Sequence, residues 1–146
     1  MNDHPFSAAA RISIRLEFAG ETVLTLLLAR SGALNRMGDG SGEPDTLLPA
    51  MGHVDPSWFE EALDLFPPEL AELAGRYEFS DREGEDCLLT IAFEGEGFDT
   101  GYEFLYGSES AGPPEEIADW LDEVLDLTDD WYAEQLEKRA GNQKKS

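Results

Sequence analysis

Positive charge is what this sequence lacks most. Ten lysines and arginines stand against 32 aspartates and glutamates in 146 residues, a formal net charge of −22. A surface of that sign repels the phosphates of nucleic acids and anionic lipids, which argues against direct binding to DNA, RNA or a membrane surface. It attracts basic proteins and cations, and it also favours solubility. Cysteine is nearly as scarce. Cys87 stands alone, so no internal disulfide framework exists, and a reducing cytoplasm is the compartment it suits. The two histidines are His4 and His53. His53 and Asp55 form an HxD pair, but a zinc site needs three or four ligands. Long apolar runs are missing as well. Val23 to Ala29, interrupted by Thr25, falls well short of the roughly 20 residues that span a bilayer. The opening MNDHPFSAAARIS has no basic segment leading into an apolar one, so it does not read as a signal peptide. The expectation is a soluble, cytoplasmic protein without a metal or other cofactor.

What is present suffices for one packed domain. Hydrophobic residues make up 41% and aromatics 10% of the chain, enough to build a core at this length. The reading divides it into a flexible N-terminus over 1–10, a single α+β domain over 11–139 and a polar tail over 140–146. Ile12, Ile14, Leu16 and Phe18 alternate with Ser13, Arg15 and Glu17, the period of a strand with one buried face. Thr22 to Arg30 is nearly continuous apolar sequence, suited to an interior strand. After a Ser31-Gly32 turn, Ala33 to Met37 supplies a third strand. Tyr77 and Phe79, then Cys87 to Phe93, then Tyr102, Phe104 and Tyr106 repeat the strand pattern, with glycine-rich connections at 95–101 and 107–112. The sum is an antiparallel sheet of about six strands in two meanders. Each half runs three strands, a glycine-rich loop and a helix. That plan reads either as a βββα duplication or as ordinary meander-and-helix packing. Parallel strands are not expected, because connections within a meander are too short for crossovers.

Helix signals follow the first glycine-rich loop. Asp55 is a good N-cap, Pro56 suits the first helical position, and Phe59, Ala62, Leu63 and Phe66 share a face. Pro67-Pro68 ends that helix, and ELAELA forms a short second one closed by Gly75. From Pro114 a longer helix puts Ile117, Ala118, Trp120, Leu121, Val124, Leu125 and Leu127 on one half. The other half holds Glu115, Glu116, Asp119, Asp122, Glu123 and Asp126, all acidic. Thr128 or Asp129 is expected to cap a final helix, DWYAEQLEKRA. Trp120 reads as core, whereas the adjacent Trp131 and Tyr132 cannot both turn fully inward, which leaves one of them either for an interface or for partial burial under the tail.

The stretch GALNRMGDGSGEPD is the nearest thing to a ligand loop. It is not a P-loop, since no lysine follows a glycine and its three carboxylates would repel a nucleotide phosphate. An EF-hand begun at Asp39 would put Pro44 at the turn glycine and Ala50 at the bidentate glutamate. A looser cation site from Asp39, Glu43 and Asp45 is the residual metal reading, against a plain solvated turn. Ser108-Glu109-Ser110-Ala111-Gly112 approaches the GxSxG nucleophile elbow, but no histidine follows position 53. Cys87 alternates with Leu89 and Ile91, as a buried, inert thiol would.

Two functional expectations result. The first is a small, non-enzymatic binding protein that engages a basic protein partner in an inhibitor, immunity or assembly role. Its contact residues would be Glu115, Asp119, Asp122, Asp126, Trp131 and Tyr132. A special form is nucleic-acid mimicry, since carboxylates at i,i+4 stand about 6 Å apart, comparable to neighbouring phosphates. The second is a small-ligand protein or enzyme with its site at loops 38–45 and 107–112, using Asn35, Arg36, Asp39, Ser108 and Ser110. For Arg36 the alternatives are a grip on a ligand carboxylate or a surface salt bridge.

Overall fold

A computed structural model describes residues 6, 8–38, 49–80, 83–110 and 112–144, the side chains of 98 and 139–144 excepted. Seven strands form one mixed sheet. In chain order they are β1 (Arg11–Phe18), β2 (Glu21–Ala29), β3 (Ala33–Met37), β4 (Pro49–His53), β5 (Gly75–Glu78), β6 (Asp86–Gly95) and β7 (Phe98–Gly107). Helix α1 (Ser57–Leu65) and a 3₁₀ helix (Pro68–Leu73) lie between β4 and β5, and helix α2 (Glu115–Lys144) follows β7. The fold is α+β, and its sheet is mostly antiparallel.

The sheet order is β4-β3-β2-β1-β6-β7-β5. The first four strands make the expected meander, extended by β4. The second group is not a meander, because the β6–β7 hairpin inserts between β1 and β5. As a result β5 pairs with β7 in parallel, Gly75 opposite Tyr102 and Glu78 opposite Leu105. Short connections forbid parallel pairing only between consecutive strands, and β6 intervenes here. The same arrangement removes the strand-by-strand correspondence that a βββα duplication requires. Between β6 and β7 the connection is shorter than the glycines at 95–101 suggest. Only Glu96 and Gly97 turn, and Gly101 lies within β7.

Alternation decides which face is buried. Ile12 and Ile14 of β1, Leu26 and Leu28 of β2, Leu34 of β3, Leu89, Ile91 and Phe93 of β6, and Tyr102 and Phe104 of β7 all point to one side. The other side carries Ser13, Arg15, Thr25, Asn35, Thr90 and Glu103, half-buried or exposed. Within β2 a bulge opposite Leu16/Glu17 breaks the alternation, so that both Val23 and Leu24 are buried. This local irregularity is why TVLTLLLAR lacks a clean period of two.

The helices close the buried side. Phe59, Ala62 and Leu63 of α1 and the following Phe66 enter the core as their spacing predicts. Asp55 Oδ1 accepts the Ser57 N–H at 2.9 Å just ahead of α1, and that bond holds its carboxyl below the usual range. Phe66 meets Trp120 edge-on with ring centroids 5.1 Å apart, while the Trp120 indole N–H donates to Ala62 O at 2.8 Å. Of the described residues ahead of β1, Phe6 and Ala9 contact the core. Phe6 is buried and stacks on Phe93 at 4.2 Å. The Arg30 guanidinium bonds Ala9 O, lies over the Phe59 ring and pairs with Glu60.

Helix α2 also differs from expectation, since it runs unbroken through Thr128 and into the stretch expected to be a polar tail. Thr128 does not cap a new helix. Its Oγ1 donates back toward Val124 O and Leu125 O, both at 3.3 Å, which satisfies the hydroxyl without ending the ladder.

Candidate functional site

The length and register of α2 set the candidate site. Ile117, Trp120, Val124, Thr128 and Tyr132 are buried, a recurrence of three to four residues that keeps one stripe against the sheet. All the carboxylates of the opposite face, among them Glu115, Asp119, Asp122 and Asp126, are exposed. Continuing along the helix, Asp129, Asp130, Glu134 and Glu137 are exposed too. With 1.5 Å of rise per residue, Glu115 to Glu137 is a ridge about 33 Å long.

Cations are engaged elsewhere. Among the described residues, Arg11 pairs with Glu94, Arg15 with Glu17, Arg30 with Glu60, and Arg76 with Glu78 and Glu103. Of the described cations, only Arg36 and Lys138, the latter within α2 itself, pair with carboxylates of α2, at Asp129 and Glu134. No described ion pair involves Glu115, Glu116, Asp119, Asp122, Glu123 or Asp126.

Arg36 is buried rather than at the surface, and its ion pair runs inward to α2. It follows Leu34 on the inward face of β3 and is 2% exposed. Its Nη1 donates to Asp129 Oδ1 at 2.7 Å, Thr128 Oγ1 at 2.9 Å and Leu125 O at 3.3 Å, and its Nε donates to Gly38 O at 3.1 Å. The guanidinium also lies over the Tyr132 ring, 4.6 Å from its centroid. The Gly38 N–H in turn donates to the Tyr132 hydroxyl at 2.9 Å. This cluster bolts the end of β3 to the middle of α2. It was missed from sequence because Thr128 and Asp129 read as caps, although the period-two step from Leu34 to Arg36 already pointed inward.

The other expected residues are placed as follows. Tyr132 is buried in that cluster, whereas the half-buried Trp131 lies against Gly52 of β4. Asn35 is exposed on the opposite sheet face. Ser108 Oγ accepts the Glu85 N–H at 3.0 Å, and Ser110 Oγ accepts the Glu83 N–H at 3.3 Å. Both serines therefore tie down the acidic turn before β6. Gly107 permits that closeness, because a Cβ there would stand 2.4 Å from the Glu83 backbone N and O. Asp39, with Glu43 and Asp45, lies outside the described residues.

The loops after β3 and β7 leave the same end of the sheet, but β2, β1 and β6 stand between those strands. At about 4.8 Å per strand spacing the separation is roughly 19 Å, so Arg36 and Ser108 do not converge on a small ligand. The chain matches no protein-family model and no curated protein. Its chemistry is read from its own residues. Cys87 is buried, with its thiol pushed up by burial and by Asp86 and Glu85, the reverse of what activates a nucleophile. Among the described residues no three His, Cys, Asp or Glu side chains gather to hold a metal ion, and no helix is long and apolar enough to cross a membrane.

Proposed function

We propose that this protein is a non-enzymatic binding module whose α2 ridge engages a basic protein partner in an inhibitor, immunity or assembly role. One observation carries this reading. The solvent face of α2 from Glu115 to Asp126 is acidic and has no described counter-charge, although the helix would be more stable with one. Like-charge pairs at i,i+3 and i,i+4 each cost a few tenths of a kcal/mol in the free protein, and a cationic partner removes that cost. Electrostatic matching of this kind speeds association and makes binding sensitive to salt.

A second reading, nucleic-acid mimicry, is favoured by spacing. Glu115, Glu116, Asp119, Asp122, Glu123, Asp126, Asp129, Asp130, Glu134 and Glu137 place about one carboxylate per 3.7 Å of helix axis, near the roughly 3.4 Å per phosphate of a single DNA strand. The partner would then be a nucleic-acid-binding protein, while the chain itself avoids nucleic acid and membranes. A single buried thiol suits a cytoplasmic setting.

The test is affinity capture across a salt series, with the wild type beside Asp119→Asn/Asp122→Asn. The expected result is a basic partner released as salt rises and held more weakly by the double variant. Unchanged affinity in a folded double variant would remove the ridge from the binding surface.

A further inference from the structure

Where the 3₁₀ helix, β5, β7 and the start of α2 meet, the fold leaves a cavity of about 130 Å³. Its walls are Leu70 and Leu73, Tyr77 and Phe79, Tyr102 and Phe104, with Pro114 just ahead of α2 and Ile117 within it. The polar ends of both tyrosines are already engaged. Tyr102 Oη donates to Leu70 O at 2.7 Å, and Tyr77 Oη donates to Leu73 O. Ring faces and aliphatic carbons therefore line the space, and nothing in it would satisfy a polar group. A cavity of about 150 Å³ with this kind of lining takes a benzene ring. Leu73 and Tyr77, 48% and 37% exposed, put this cavity at the surface.

The surroundings are acidic. Glu69 and Glu72 alternate with the lining leucines of the 3₁₀ helix, and Glu115 and Glu116 sit between Pro114 and Ile117 at the head of the α2 ridge. All four are exposed, and no described ion pair involves them. An apolar hole beside unpaired carboxylates complements an apolar side chain flanked by cations.

We infer that this cavity is an anchor pocket for one apolar side chain, phenylalanine or leucine in size, carried on a basic segment of the partner. The inference rests on the proposed binding role and adds a specificity element to it. The ridge supplies long-range attraction that any polycation would feel. The pocket selects those that carry the anchor.

Two capped peptides, Lys-Lys-Phe-Lys-Lys and Lys-Lys-Ala-Lys-Lys, test it by titration into protein with isotope-labelled leucine and isoleucine methyls. The Phe peptide is expected to shift the Leu70, Leu73 and Ile117 methyls and to bind about tenfold tighter, the effect of burying one aromatic side chain. That advantage is expected to persist at molar salt while the affinity of both peptides falls. Leu73→Trp, a change at an exposed position, is expected to occlude the pocket and erase the difference. Equal affinities for the two peptides would overturn the pocket and leave the ridge standing. No binding of either peptide would overturn both. Benzene shifting the same methyls without a Phe advantage would assign the cavity to a free small molecule and overturn the anchor.

Discussion

Arg36 and Asp129, 93 positions apart, meet at 2.7 Å, yet only one of them is buried. The Arg36 side chain is 1% exposed and that of Asp129 51%. The arginine is held by the protein on every side, and the aspartate is one of several acceptors around it.

The asymmetry predicts unequal mutational effects. Arg36→Ala strips Asp129, Thr128, Leu125 O and Gly38 O of a donor and is expected to cost about 3 kcal/mol, at the low end for breaking a buried charged cluster. Asp129→Ala removes one exposed acceptor, and about 1 kcal/mol is expected. Arg36→Lys should recover little, because an ammonium cannot reproduce the fork. Urea denaturation of the three variants measures this, and equal losses for Arg36→Ala and Asp129→Ala would contradict it.

Gly52 and Trp131 form a second joint between the sheet and α2. A Cβ at position 52 would lie 3.1 Å from Trp131 Cζ2, so Gly52→Val forces the indole outward. About 1–3 kcal/mol is expected for such overpacking, with a red-shifted tryptophan emission. Unaltered emission and stability would mean that Trp131 packs elsewhere.

Alkali should weaken the fold through Tyr102, whose hydroxyl is pushed up from 10.0 to about 12, mainly by burial. The folded state keeps the proton where the unfolded state has lost it. Stability from this group is therefore intact below pH 10 and lost as pH rises to about 12. Denaturation midpoints across that window should fall less in Tyr102→Phe than in the wild type. The variant should also start about 1 kcal/mol lower, for the lost bond to Leu70 O.

The acidic ridge predicts opposite effects on stability and binding. Asp122→Lys turns the repulsions with Asp119 and Asp126 into attractions and should stabilise the folded protein by about 0.5–1 kcal/mol. Molar salt should shrink that gain by screening. The same variant should bind a basic partner more weakly. Unchanged or tighter binding by this variant would mean that the charge at Asp122 takes no part in recognition.

Much of this fold is legible in the linear chain because solvent enforces it locally. The alternation of Ile12, Ile14 and Leu16 marks β1, the Ser31-Gly32 turn starts β3 at Ala33, and the spacing of Phe59, Ala62, Leu63 and Phe66 marks the inward face of α1. The acidic half of α2 could likewise be drawn on a wheel. Those features follow from periods of two and 3.6 residues and from turn chemistry. Strand order has no such local signature. Nothing near Tyr77 announces that β5 lies beyond β7 and runs parallel to it, since that choice is made by which edge the hairpin leaves open. Nor do the residues around Thr128 announce that α2 continues through it. There Thr128 bonds back into the helix, and Arg36, from a strand far earlier in the chain, engages both Thr128 and Asp129, the groups that read as caps. The same distance in sequence hid the apolar cavity, whose walls come from four separate elements. Short-range chemistry shapes the pieces of this protein, and side chains that meet only after packing decide where its surface can hold another molecule.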